Sequence, residues 1–306
     1  MSRILITTGS FGQDDRSPLY SLRDAGYEPM LNPYRRKLTE DEVLKLILEI
    51  KPLGMIAGLE PITARVIEQA EGLKAISRLG IGIDNVDLIA AEKMGIAVLN
   101  TPDAPTQAAA ELTIGLAMTC LRRIVEVNVV IRAGNWERPK GKLLGKQTLG
   151  IIGCGRIGSA VAKLAAPFGT KILGHDPYLD SHPTIDLKSI LELLAEADIV
   201  SLHIPYKEST HHLVDKQFLS NMKKDALLIC VSRGGIVDED ALQAALTSNH
   251  LSGAALDVFA HEPYKGPLAQ LDNVVLTPHI GSHTMETRLE MEMQAARNLL
   301  SALDDQ

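Results

Sequence analysis

Three short stretches of this chain carry side chains suited to acid–base chemistry on a small acid. Arg233 stands in Cys230-Val-Ser-Arg-Gly-Gly235, Glu262 in Asp257-Val-Phe-Ala-His-Glu-Pro263, and His279 in Thr277-Pro-His-Ile-Gly-Ser282. Each follows a short apolar run that reads as a buried strand. All three are therefore expected at the carboxyl edge of one sheet, where open α/β folds bind ligands. A histidine accepts a hydroxyl proton while hydride leaves the same carbon for a nicotinamide. A carboxylate beside it orients the ring and stabilises the imidazolium. The planar fork of an arginine suits a substrate carboxylate and turns the reacting carbon towards the cofactor. Taken singly, each residue is at least as much at home as a structural loop or core side chain. Together they supply what oxidation of a 2-hydroxy acid needs.

A hydride carrier is implied by residues 148–158, Thr-Leu-Gly-Ile-Ile-Gly-Cys-Gly-Arg-Ile-Gly. An apolar strand-like run leads into Gly153-x-Gly155-x-x-Gly158 and then an alanine-rich helical pattern. Asp176 closes a second apolar run 18 residues after Gly158. Gly153 permits the tight turn, Gly155 lets the backbone approach a pyrophosphate, and Gly158 lets helix and strand pack closely. The helix N-terminus presents unpaired N–H groups and the positive end of its dipole to phosphate. Asp176 can accept hydrogen bonds from a ribose diol and would repel a 2′-phosphate, which favours NAD over NADP. The plainer alternative is a structural turn in a sheet that binds no nucleotide.

Composition narrows the class. The chain has 306 residues, 45% hydrophobic and 23% charged, with a formal net charge of −7. These values describe a soluble globular protein of two ordinary domains, with neither nucleic acid nor an anionic membrane as its main partner. No apolar run reaches the ~18–20 residues of a membrane span. The opening Met-Ser-Arg-Ile-Leu-Ile-Thr-Thr is strand-like and lacks a signal-peptide core, so a cytoplasmic protein is expected. Cys120, Cys154 and Cys230 are scattered, odd in number and set among apolar neighbours. They read as reduced core residues, neither disulfides nor a metal site, although Cys154 inside the glycine turn is also open to a redox reading.

The elements that must position these residues alternate in type. Strands are expected at 4–8, 29–31, 54–57, 75–78 and 97–99, with helices at 39–49, opened by the capping box Thr39-x-x-Glu42, and at 85–93. From Thr148 the alternation resumes, with six strands at 148–152, 171–175, 198–202, 226–231, 253–257 and 274–276. Helices are expected there near 156–167, 187–195 and 238–248. The fold class is α/β, as two Rossmann-like doubly wound parallel-sheet domains with the active site in the cleft between them. Residues 1–98 with 284–306 form the flavodoxin-like substrate domain and 99–283 the dinucleotide domain. A single long apolar helix is expected over 106–133, too apolar for one buried face, and so suited to packing against a second copy of the chain.

Ordered motifs along nearly the whole length resemble the D-isomer-specific 2-hydroxyacid dehydrogenase family, in its phosphoglycerate dehydrogenase-like branch. They are Arg78-Leu-Gly-Ile-Gly-Ile-Asp-Asn-Val-Asp87, Asn100-Thr-Pro102 with Ala110-Glu-Leu112, and Gly153 to Gly158 with Asp176. His203-Ile-Pro205 with Thr210, Arg233-Gly234, Asp257-Val-Phe259 with Glu262-Pro263, and Pro278-His279 complete the set. The resemblance implies catalytic Arg233, Glu262 and His279. It implies substrate contacts from Arg78, Arg233, His279 and the backbone of Ile81 and Gly82. NAD would be lined by Thr106, Gly153, Gly155, Arg156, Ile157, Gly158, Asp176, His203, Pro205, Thr210, Val231, Asp257, His279 and Gly281. It also implies a homodimer. Formate dehydrogenases share the architecture but carry Gln where this chain has Glu262, which argues for hydroxy acid chemistry.

Two positions depart from the branch. Many members have Asn in place of Cys230. Several phosphoglycerate-type members carry Arg-Ser where this chain reads Gly58-Leu-Glu60-Pro-Ile-Thr63. A carboxylate in that loop would repel a phosphate if it faced the cleft, whereas Arg78 pulls the other way. The substrate expected is a small anionic 2-hydroxy or 2-oxo acid, with 3-phosphoglycerate as the leading single choice. The alternatives are hydroxypyruvate, glyoxylate or sulfolactate-type acids, and, from another class, a dinucleotide-sensing corepressor-like binding protein. No regulatory domain is expected after residue 306.

Overall fold

In the computed structural model, which describes residues 1–304, the chain forms two units. The first comprises Met1–Pro105 and the segment from Ser282 onward; the second is Thr106–Gly281.

The first unit is built on β1 (Arg3–Ile6), β2 (Glu28–Leu31), β3 (Gly54–Ala57), β4 (Ala75–Arg78) and β5 (Ala97–Asn100). They form one parallel sheet in the order β2-β1-β3-β4-β5. The helices are α1 (Ser17–Asp24), α2 (Glu40–Ile50), α3 (Ala64–Ile67) and α4 (Leu88–Lys93). Both sheet faces are covered, which is why the central strands read as unbroken apolar runs rather than alternating ones. Leu5, Met55 and Ile76 face α2, α3 and α4, among Val43, Ile47, Val66 and Ala90. Ile4, Ile6, Ile56 and Ala75 face the other way, onto Leu22 of α1 and Met291, Ala295 and Leu299 of the C-terminal helix (Met285–Asp304). The capping box of α2 forms as expected, with Glu42 N donating to Thr39 Oγ1 and Thr39 N to Glu42 Oε2. The helix expected over 85–93 begins only at Leu88, because Asp87 caps it by accepting from Ala90 N at 2.9 Å.

The second unit takes up α5 (Pro105–Leu121) from Thr106 onward and continues into α6 (Ile124–Arg132). The single helix expected over 106–133 is thus two. Arg123 adopts a left-handed conformation at φ 52°, and its guanidinium folds forward onto Glu126 in two hydrogen bonds of 2.7 Å. No residue of α6 is buried. The sheet then follows as β6 (Thr148–Ile152), β7 (Lys171–His175), β8 (Asp186–Leu187), β9 (Ile199–Leu202), β10 (Leu227–Cys230), β11 (Gly253–Leu256) and β12 (Val274–Leu276). Its helices are α7 (Arg156–Ala165), α8 (Ile190–Glu196), α9 (Lys216–Asn221) and α10 (Glu239–Thr247), which leaves Met285–Asp304 as α11.

All seven strands are parallel, in the order β12-β11-β10-β9-β6-β7-β8. The sequence implied six. The seventh, β8, is two residues that pair with Leu173 and Gly174 of β7, too short to show any period. Strand order reverses between β6 and β9, so their carboxyl ends form the switch point at which such sheets bind ligands. Among the described residues no helix is long and apolar enough to cross a membrane.

Candidate active site

At the switch point β6 runs directly into the glycine turn. Gly153 sits at φ 91°, and a Cβ there would lie 2.6 Å from the carbonyl oxygen of His203. A Cβ on Gly158 would stand 2.1 Å from the carbonyl oxygen of Gly153, so only glycine lets α7 begin this close to the strand. Gly155 differs, because a Cβ there would meet nothing within 4 Å. Its missing side chain leaves open space above the turn. The first turn of α7 has no side-chain cap and no acidic residue, so its N–H groups and dipole are available to an anion.

Asp176 lies just past β7, its carboxylate held by two backbone amides. Its Oδ2 accepts from Cys154 N at 3.0 Å and its Oδ1 from Tyr178 N at 3.0 Å. Two buried polar atoms of this unit, His203 Nδ1 and Thr106 Oγ1, have no hydrogen-bond partner among the described residues. Buried polar atoms are seldom left so unless a ligand or water completes them. The His203 ring meets Ser201 Oγ at Nε2, 2.7 Å, and burial pushes its pKa down to about 3, so the ring stays neutral. Open cradle, prepared acid and orphaned atoms together fit a dinucleotide. Replacing Asp176 with alanine is expected to raise the KM for NAD about 10-fold or more, as loss of hydrogen bonds to a charged group would. Discrimination against NADP should narrow in the same assay. Unchanged kinetics with both cofactors would remove Asp176 from the ribose site.

The chemical couple lies farther along the same sheet edge. His279 Nδ1 is 3.0 Å from Glu262 Oε2 and 3.1 Å from Oε1. A carboxylate only accepts, so Nδ1 carries the hydrogen and Nε2 remains for a substrate. Glu262 Oε1 also accepts from Phe259 N at 3.2 Å, which ties the carboxylate to its own loop. Arg233 extends from the turn after β10, its Nη1 donating to Ser232 O at 2.7 Å. A Cβ on Gly234 would lie 1.8 Å from Phe259 O, so the Arg233 turn and the Glu262 loop touch backbone to backbone. Cys230 keeps a contact with this turn, its Sγ 3.8 Å from Arg233 O, and burial raises the thiol pKa.

Asp257 has no exposed surface, and its carboxylate is committed to the His279 loop. Oδ1 accepts from Thr277 Oγ1 at 2.6 Å and Ile280 N at 2.8 Å, and Oδ2 from Gly281 N at 2.8 Å. Its side chain therefore shapes the His279 loop. Thr210 closes its own loop, donating to Pro205 O at 3.0 Å and accepting from Lys207 N at 2.8 Å. Val231 is buried at the end of β10. Cys154 is buried too, and desolvation, helped by the charge of Asp176, pushes its pKa up to about 11, which disfavours a reactive thiolate.

Arg78, Ile81 and Gly82 belong to the first unit. Arg78 is only 5% exposed; its Nη1 donates to Leu79 O at 2.6 Å and lies where a Cβ of Gly80 would stand. Glu60 is 1% exposed and bonded within its own unit, to Thr7 Oγ1 and to Gly58 N. One residue with a part here was missed. Glu239, at the start of α10, accepts from Ala260 N at 2.8 Å and steadies the Glu262 loop. The sequence signal was present in Asp238-Glu-Asp240 as a helix start, but not the partner.

Residues 114–281 match the family described as D-isomer specific 2-hydroxyacid dehydrogenase, NAD binding domain. The chain is 40% identical over 276 residues to a hydroxypyruvate reductase of Thermotoga maritima, covering 87% of this chain and 89% of the relative. It is 42% identical over 260 residues to a D-3-phosphoglycerate dehydrogenase of Methanocaldococcus jannaschii, covering 82% of this chain and 49% of the relative. The match thus spans about half the length of that enzyme. A crystal structure of a Thermus thermophilus protein is similar at a TM-score of 0.90 and 40% identity, over 99% of this chain and 97% of that one.

Proposed function

The chain belongs to the D-isomer-specific 2-hydroxyacid dehydrogenases, which are NAD-dependent oxidoreductases acting on CH–OH donors, and on that premise we propose its substrate and the roles of its residues. The reaction interconverts a small anionic D-2-hydroxy acid and its 2-oxo acid. The observation that carries the assignment is the pairing of His279 Nδ1 with both oxygens of Glu262, in the unit that also holds the glycine turn.

Bound NAD supplies the hydride acceptor, and NADH the donor in reverse. His279 Nε2 takes the hydroxyl proton on oxidation and returns it on reduction. Glu262 fixes the ring and balances the charge of the imidazolium. Arg233 grips the substrate carboxylate, and the backbone of Ile81 and Gly82 assists. Gly155, Asp176, His203 and Thr106 hold the dinucleotide.

Among substrates, unphosphorylated acids of hydroxypyruvate or glyoxylate size stand first. Residues 58–63 of the loop after β3 include no cation for a phosphate, and the carboxylate of Glu60 there is turned inward onto Thr7 and Gly58. The similarity to a hydroxypyruvate reductase also extends over 89% of that enzyme. 3-Phosphoglycerate is the second reading, favoured by Arg78 at the carboxyl end of β4.

NADH oxidation should be screened against hydroxypyruvate, glyoxylate, 3-phosphohydroxypyruvate, pyruvate, oxaloacetate, 2-oxoglutarate and sulfopyruvate. Hydroxypyruvate or glyoxylate is expected to give the highest kcat/KM. A higher value for 3-phosphohydroxypyruvate would reverse the order. NADH binding without turnover of any acid would favour a dinucleotide sensor. A homodimer and a cytoplasmic setting complete the proposal. The exposed Val125, Val129 and Ile131 of α6 are the face we assign to the second copy, and the three cysteines are unlinked.

A further inference from the structure

We infer that Glu60 and Asn85 form a clamp that positions the Gly80–Asn85 loop, and through it the affinity for substrate. The inference rests on the reading that the amides of Ile81 and Gly82 hold the substrate carboxylate.

Glu60 is a buried carboxylate that the chemistry does not use. Its Oε1 accepts from Thr7 Oγ1, at the end of β1, and from Gly58 N at 2.7 Å. The side chain folds back so closely over Gly58 that a Cβ there would lie 2.8 Å from Oε2. A buried charge is tolerated only when it is hydrogen-bonded, and here the bonds bend residues 58–60 into one shape. That shape turns two carbonyls towards a single amide. Asn85 Nδ2 donates to Gly58 O at 3.1 Å and to Glu60 O at 2.7 Å. Backbone pairing extends the join, with Ile62 N donating to Asn85 O at 2.8 Å and Asp87 N to Ile62 O at 2.9 Å.

The other end of the same loop is fixed separately. Gly80 N donates to Thr101 Oγ1 at 2.7 Å, Thr101 N to Gly80 O at 3.0 Å, and Asn100 Nδ2 to Ile81 O at 2.6 Å. Ile81 and Gly82 therefore lie between two anchors. One is built from β5 and the residue after it; the other depends on Glu60 through Asn85. Releasing the second lets the loop swing about the first, which misaligns the amides without touching the dinucleotide turn or the Glu262–His279 couple.

The test compares Asn85→Ala, Glu60→Ala and Glu60→Gln in steady-state reduction of the best 2-oxo acid, with NADH affinity read by fluorescence titration. Asn85→Ala should raise the KM for the acid about tenfold, the effect of one displaced hydrogen bond, with kcat and NADH affinity unchanged. Glu60→Ala should move KM the same way. Glu60→Gln should stay near wild type, since its Oε1 still accepts from Gly58 N and Thr7 Oγ1. A KM unchanged in folded Asn85→Ala protein, verified by thermal melting, overturns the clamp even if Glu60→Ala does not fold. So does a Glu60→Gln enzyme as impaired as Glu60→Ala. Gly82→Pro removes one of the amides themselves. If it leaves KM unchanged, the carboxylate is not held there and the underlying reading fails; if it raises KM while Asn85→Ala does not, the clamp alone fails.

Discussion

Alanine at position 279 is expected to lower kcat by about 10³-fold, within the range that a positioned general acid–base supplies. NADH affinity should change by no more than about twofold, because the lost interaction is made in the transition state rather than with the cofactor. With Nδ1 held 3.0 Å from Glu262, the ring cannot turn, and only Nε2 is left to exchange a proton. Glu262→Gln is a milder lesion. The amide oxygen can still accept from Nδ1–H, but it no longer balances an imidazolium, so turnover should fall by about 10–100-fold. Steady-state rates with fluorescence titration of NADH check both variants. Near-wild-type turnover in His279→Ala would take the imidazole out of the chemistry.

Asp257→Ala is expected to destabilise the second unit by about 3–5 kcal/mol. Its carboxylate has no exposed surface, and three donors converge on it. Removing it strands Thr277 Oγ1 and the amides of Ile280 and Gly281 without acceptors. The loop also holds a strained residue, since His279 sits at φ 55°, a conformation that costs a non-glycine residue about 1 kcal/mol or more. Without the carboxylate that backbone relaxes, and the imidazole leaves its station. Melting should fall by roughly 10 °C and turnover should drop with it. A variant melting within a degree or two of wild type and reacting normally would show that the loop holds its shape by other means.

Much of the frame was legible in the chain. The runs at 54–57, 75–78, 148–152 and 171–175 coincide with β3, β4, β6 and β7 because both sheet faces are covered and the interiors of these strands are mainly apolar. The capping box at Thr39 and the glycine turn were legible for a related reason, since each places its physical requirement within a few residues. What escaped depends on partners distant in sequence. The break at Arg123 has no glycine or proline to announce it, and the apolar pattern continues across it. β8 exists only because β7 offers it an edge. Asp257 is legible as a residue at a strand end; that three donors from 277–281 converge on it is a tertiary fact. Glu60 read as a charge that could face a substrate, whereas Thr7 and Gly58 draw it inward.

The C-terminal helix has a consequence for how the molecule is made. Met291, Ala295, Ala296 and Leu299 cover Ile4, Ile6, Ile56 and Leu79, residues that leave the ribosome long before them. Until α11 is synthesised, one side of the first sheet stays wet and sticky while the intervening unit, continuous in sequence, is free to fold. The nascent chain therefore has a built-in interval of vulnerability, during which a chaperone or a neighbouring chain competes for that bare surface.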